Sequence, residues 1–148
     1  MELPNRFVAI DRERRKLKLF REPKKGSGDN RYEHVKTYDI AVGAKGFETP
    51  TGLYFVEKKS RAKFPDWQMP YSDWVPEELQ GQVIPGGDPR NPIKSRWIRL
   101  TEDGVGIHGT AEKESIGKAA SHGCIRMRVP DVNELYDHVK AGTMVFID

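Results

Sequence analysis

The chain has one cysteine, Cys124, within the stretch Ser121-His122-Gly123-Cys124-Ile125-Arg126. A second histidine-bearing stretch, Ile107-His108-Gly109-Thr110, lies shortly before it, so two histidines and the only thiol fall within seventeen positions. A free thiol titrates near ~8.5 and an imidazole near ~6.5. Side by side in a suitable site they can favour a thiolate–imidazolium pair, and the thiolate is the reactive form. On an extended chain His122 and Cys124 point the same way. His108 belongs to a separate segment and could approach from a neighbouring strand. Glycines beside these residues let the backbone come close to a substrate and present its N–H groups. Residue types and spacing leave three readings open: a cysteine nucleophile, a zinc site of His108, His122 and Cys124, or a small buried thiol among satisfied core histidines. Zinc asks for three or four ligands, and the remaining histidines, His34 and His138, have no recognised spacing.

These residues need elements to hold them. Phe7 to Ile10 is apolar, and Leu17 and Leu19 alternate with lysines in Lys16-Leu17-Lys18-Leu19-Phe20, which predicts a half-buried strand hairpinned to the first. Residues 22–30 read as a loop. Val35 to Val42 is a further strand stopped by Gly43. The turn Thr49-Pro50-Thr51-Gly52 leads into a strand over Leu53 to Val56, and Arg96 to Leu100 and Val105 to Ile107 are two more. This spacing is that of an all-β sandwich or barrel and not of βαβ units. After Pro130, the residues Val132, Leu135, Tyr136 and Val139 recur at helical spacing, with Asp131 in the first turn, Lys140 in the last and Gly142 just beyond. A helix over about 130–141 follows, and Met144 to Ile147 closes the chain as a strand. Residues 60–95 hold most of the prolines and two of the three tryptophans with little periodicity. A stretch of that kind is either a binding loop or a loop packed by its own Trp67, Tyr71 and Trp74.

Composition narrows the classes. At 148 residues the chain is read as one domain, 1–148, able to bury a core without disulfide or structural metal. One thiol cannot form an intramolecular disulfide. Charged residues make up 32% and net charge is +3, with both signs mixed. The basic run Arg12, Arg14, Arg15, Lys16 and the pair Lys24-Lys25 read as solvated turns, because no interleaved aromatics support a nucleic-acid partner. No apolar run approaches the ~18 residues of a membrane span. No export signal is visible at Met1-Glu2-Leu3-Pro4-Asn5.

The catalytic-looking stretch resembles the signature of the L,D-transpeptidase catalytic domain family, in which a histidine precedes a Ser/Thr-His-Gly-Cys element by a little over a dozen residues. His108-Gly109-Thr110 and Ser121-His122-Gly123-Cys124 fit that pattern. Thr49-Pro50-Thr51-Gly52, Pro65-x-Trp67, Asn91-Pro92, Ser115-Ile116-Gly117 and Gly142-Thr143 resemble its other landmarks, so the likeness covers nearly the whole chain. The resemblance implies a mainly β fold, a β-sandwich of mixed sheets with the one helix and a long loop over the site. It implies Cys124 as nucleophile, His108 as its base, and the Gly109 carbonyl holding the imidazole tautomer. The backbone N–H groups around His122, Gly123 and Cys124 would form an oxyanion hole, with Ser121 and His122 shaping the site.

Many members carry Asn where this chain has Arg126 and others carry Arg, and Ile93-Lys94 stands where Leu-Gly is usual. Arg126 is read as a contact for a substrate carboxylate, with a structural fork as the alternative. The implied reaction cleaves the L,D bond before the terminal D-alanine of a peptidoglycan tetrapeptide stem through a thioester, which an amine resolves. Hydrolysis by an L,D-carboxypeptidase and a catalytically silent wall-binding module are the alternatives. The resemblance further implies no cofactor or metal, carbapenem-type inhibitors as ligands, and an extracytoplasmic location.

Overall fold

The computed structural model describes residues 5–24, 26, 28, 31–101 and 105–148, the side chains of 58–61 excepted. The leader reading of residues 1–4, Lys25 of the second basic pair and part of the 22–30 loop lie outside the described residues.

Alternation of Leu17 and Leu19 with exposed positions produces the first hairpin: β1 (Arg6–Asp11) pairs antiparallel with β2 (Lys16–Arg21), and both leucines are fully buried. The turn between them carries Arg15 at φ 55°. It is tied by Asp11, whose carboxylate accepts the Arg14 N–H at 3.0 Å and the Arg14 guanidinium at 2.9 Å. β3 (Glu33–Gly43) continues the sheet from β2, and β4 (Gly52–Lys63) follows a loop. β7 (Lys94–Leu100), β8 (Gly106–Thr110), β9 (Ala119–Ser121), β10 (Ile125–Arg128) and β11 (Met144–Ile147) complete it, and β5 (Trp67–Gln68) and β6 (Val83–Ile84) form a separate small hairpin.

The pairing corrects the sandwich expectation. Among the described residues nine strands share one sheet, in the order β10-β8-β7-β4-β11-β1-β2-β3-β9, and β10 also pairs with β3. That extra pairing, Arg126 with Ala41 and Met127 with Ile40, joins the sheet's far reaches into a barrel-like ring with β9 hanging on β3. The sheet is mixed: β1 with β11 and β8 with β10 are parallel, and the other pairs on the ring are antiparallel. A small barrel of this kind is filled by its own inward side chains, here Ile10, Leu19, Ile40, Ile98, Ile107 and Met127 among them.

Helix α1 (Val129–His138) starts one residue before the expected position and ends earlier than expected. Pro130 sits in its first turn, where a missing N–H costs nothing. Val139 is extended (φ −111°, ψ 139°) and only 2% exposed, so its side chain turns back into the core and Lys140 falls outside the helix. Val132 and Leu135 are the helix's buried face and join the barrel core through contacts with β7, β8 and β10.

Residues 64–93 form a loop with its own small core of Met69, Val75 and Ile84, packed against Trp67 and Leu79. Asn91 staples it: its amide donates to the carbonyls of Pro65, Ile84 and Pro85 at 2.9–3.2 Å, and its Oδ1 accepts the Ile93 N–H at 2.9 Å. Trp67 packs edge-on against Trp97 of the barrel, while Tyr71 is 79% exposed and does not serve as the expected anchor. No helix among the described residues is long and apolar enough to cross a membrane.

Leu135 has no exposure and is one of the helix's two fully buried residues, so Leu135→Ala should lower stability by about 2–5 kcal/mol in urea unfolding. A loss below about 1 kcal/mol would show that α1 is not held by this contact.

Candidate active site

The parallel register of β8 and β10 sets Ile107 opposite Ile125 and His108 opposite Arg126. Ile107 and Ile125 point into the core. Side chains alternate along a strand, so His108, Arg126 and, two residues earlier, Cys124 turn to the other face. All three line a cavity of about 460 Å³ closed on one side by the loop residues Trp67, Met69 and Trp74. His34 and His138 are not brought here: His34 bonds Thr37 at 2.7 Å on β3, and His138 ends α1. Among the described residues no group of three or more His, Cys, Asp or Glu is arranged to hold a metal.

His108 is 6% exposed, and its Nδ1 lies 2.8 Å from the Gly109 carbonyl oxygen. A carbonyl only accepts, so Nδ1 carries the proton and Nε2 presents a lone pair. Gly109 must be glycine: a Cβ there would lie 2.1 Å from the Lys94 carbonyl oxygen and 3.1 Å from Val132. That carbonyl is placed by an irregularity in β7 between Lys94 and Trp97, where Ser95 sits at φ 74° and bonds Asn133 of α1 through its hydroxyl.

The turn before β10 is laced by two hydroxyls. Ser121 Oγ accepts the Gly123 N–H at 3.1 Å and donates to the Cys124 carbonyl at 2.6 Å. Thr49, from the loop between β3 and β4, accepts the Gly43 N–H at 2.9 Å and donates to the Gly123 carbonyl at 2.7 Å. Gly123 has φ +122°, a conformation side chains rarely adopt. Its N–H, expected among the oxyanion donors, is engaged by Ser121 Oγ. The His122 ring stacks on Trp74 (centroids 3.8 Å apart, planes 5° apart) and meets Phe47 edge-on at 4.8 Å. Arg126, with a side chain 15% exposed, pairs with Glu112 at 2.8 Å on the cavity wall.

Electrostatics oppose a resting ion pair. Burial pushes His108 down to about 4, with its bond to Gly109 opposing and the Arg126 charge adding to the fall. Burial likewise pushes the half-buried Cys124 thiol up, against a backbone hydrogen bond from Gly106 and the pull of Arg126. Burial thus favours a neutral thiol and a neutral imidazole over the thiolate–imidazolium pair that the residue types allow. His122 is also pushed down, chiefly by burial, then by Arg126, with Glu112 opposing.

Sequence reasoning missed Thr49 as a site residue, reading it as a turn, and missed Trp74, Phe47 and Glu112 as partners of the signature. The Thr-Pro-x-Gly landmark was the one available signal, and it carries no hint of which residue Thr49 touches.

A thiol and an imidazole with a fixed tautomer thus line one cavity, beside a tightly tied turn. A family model described as YkuD, the L,D-transpeptidase catalytic domain, matches residues 5–147, and the chain belongs to that family. YqjB of Bacillus subtilis, provisionally named an L,D-transpeptidase, is 36% identical over 124 residues, covering 80% of this chain and 61% of that protein. The chain thus spans about three fifths of that relative's length. Among solved structures, L,D-transpeptidase 3 from Mycobacterium tuberculosis in complex with a faropenem-derived adduct superposes with a TM-score of 0.70 at 18% identity, over 98% of this chain and 60% of that one. An L,D-transpeptidase, LdtMt1, in complex with imipenem gives 0.68 at 17% identity, over 97% and 59%. These likenesses establish a shared fold.

The depressed His108 fixes a pH dependence. Between pH 6.5 and about 4 the unfolded chain takes up a proton that the folded site refuses, so stability present above 6.5 falls as pH drops, by on the order of 3 kcal/mol from this residue. Urea unfolding at stepped pH should show that fall, reduced in His108→Asn. In parallel, thiolate absorbance should titrate above the ordinary cysteine range, and a thiolate already formed at pH 7 would refute the neutral pair.

Proposed function

We propose that the chain is the single catalytic domain of a peptidoglycan L,D-transpeptidase whose nucleophile is Cys124. The sulfur attacks the carbonyl of the L,D bond before the terminal D-alanine of a tetrapeptide stem. His108 Nε2 takes the thiol proton as the C–S bond forms, and Nδ1–H stays on the Gly109 carbonyl and stabilises the imidazolium. The tetrahedral oxyanion is held by backbone N–H groups of the 121–124 turn, with that of Cys124 as the principal donor, because the Gly123 N–H is occupied by Ser121. Collapse breaks the C–N bond, His108 returns the proton to the departing D-alanine amine, and a thioester is left on Cys124. An acceptor amine gives its proton to His108, attacks the thioester and restores the thiol. Arg126 exchanges Glu112 for a carboxylate of the stem. The substrate places the reaction outside the cytoplasmic membrane.

The observation that carries this reading is the 2.8 Å bond from His108 Nδ1 to the Gly109 carbonyl, which leaves Nε2 as a base in the cavity that also holds the only thiol. A neutral pair suits the mechanism, since the proton moves only when a carbonyl is in place to accept the sulfur.

Imipenem should acylate the protein with a mass increase of one ring-opened molecule, absent in Cys124→Ala and formed about 10²–10⁴ times more slowly in His108→Gln. With a tetrapeptide stem and an amine acceptor, release of D-alanine should accompany a cross-linked product. An imipenem adduct that persists in Cys124→Ala, or stem turnover by that variant, would defeat the assignment.

A further inference from the structure

Thr49 is the most deeply placed polar group near the reacting turn that the proposed mechanism leaves without a part. It is 1% exposed, and its hydroxyl has both of its roles filled by backbone: it accepts from the Gly43 N–H at 2.9 Å and donates to the Gly123 carbonyl at 2.7 Å. The second bond fixes more than the carbonyl. In a trans peptide the C=O of one residue and the N–H of the next point in opposite directions, and the described chain has no cis peptide. Drawing the Gly123 carbonyl towards the loop between β3 and β4 therefore turns the Cys124 N–H away from that loop. A hydrogen bond on the carbonyl also polarises the same peptide group and strengthens its N–H as a donor.

The loop that carries Thr49 is itself firmly seated. At Gly43 a Cβ would lie 1.9 Å from the Phe47 carbonyl oxygen and 2.6 Å from the Thr49 N, so only glycine lets the loop fold back this closely. The Ala44 N–H donates to the Ser121 carbonyl at 2.9 Å, tying the loop to the start of the same turn. Ser121 holds the Gly123 N–H and Thr49 holds the Gly123 carbonyl, so both polar groups of that residue are fixed from opposite sides.

We infer that Thr49 is a positioning residue for acyl transfer: its buried hydroxyl, by holding the Gly123 carbonyl, aims the Cys124 N–H at the oxygen of the tetrahedral intermediate. The inference rests on the proposed function, because it presumes an acyl-enzyme on Cys124. Its distinguishing consequence is chemical. Acylation by imipenem passes through a tetrahedral oxyanion and needs the donor. Alkylation of the same sulfur by iodoacetamide displaces iodide at a saturated carbon, forms no oxyanion and does not need it.

The test compares both reagents on the whole chain, wild type against Thr49→Val, which keeps the shape and removes the hydroxyl, and Thr49→Ser, which restores it. Thr49→Val should acylate at least about tenfold more slowly, a fraction of the 10²–10³ lost with an entire oxyanion donor, while its iodoacetamide rate stays within about twofold. Thr49→Ser should recover most of the acylation rate. If Thr49→Val fails to fold by circular dichroism, Thr49→Ala takes its place with the same two reagents. Equal losses with both reagents, or no loss with either, would overturn the inference and leave Thr49 a purely structural tie. Wild-type protein that gives no Cys124 adduct with imipenem would instead refute the proposed function, so the two failures are separable.

Discussion

The parallel pairing of β8 with β10 is the constraint on which the site depends. Once Ile107 and Ile125 are committed to the core, alternation leaves no choice for their neighbours: His108, Arg126 and Cys124 share the outer face. A slip of one residue in either strand would turn that strand's side chains to the opposite face and part His108 from Arg126 and Cys124. The register is held on both flanks, by the β10–β3 pairing that closes the ring and by the β7–β8 pairing on the other side, so the stability of the barrel and the placing of His108 and Cys124 are one property.

Around that pairing the surroundings favour uncharged forms of His108 and Cys124. Burial penalises both the imidazolium and the thiolate, and the nearby Arg126 lowers the proton affinity of the imidazole and of the sulfur alike. With His108 neutral and its protonated Nδ1 bonded to Gly109, the Nε2 lone pair faces no charge of its own ring. A neutral thiol also resists adventitious alkylation and oxidation, which depend on thiolate. Glycine at 109 has a steric reason, the absence of a side chain against the Lys94 carbonyl.

The long loop contributes a wall and not only a cover. Its own small core and the Asn91 staple make it a folded unit, and Trp74 extends from it to stack on His122. Of the two expectations for residues 60–95, the contacts show the self-packed loop, and that packing presents Trp74 to the turn beside Cys124.

Local pattern was enough to read much of this chain. Leu17 and Leu19 alternate with lysines because one face of a strand is buried, and Val132 and Leu135 recur at helical spacing because one stripe of a helix is. The run of residues at 107–110 and 121–126 carried the family, since its histidines, cysteine and glycines sit next to each other in sequence. What tertiary structure alone decided are the contacts between distant positions. The bond from Thr49 spans 74 positions to Gly123, and that from Ser95 spans 38 to Asn133, and neither leaves a periodic trace. The closing of the sheet through β10 and β3, and the burial that neutralises His108 and Cys124, likewise arise only once the strands surround them. Residue type decides which chemistry is possible, whereas desolvation and orientation depend on neighbours that the order of residues does not specify.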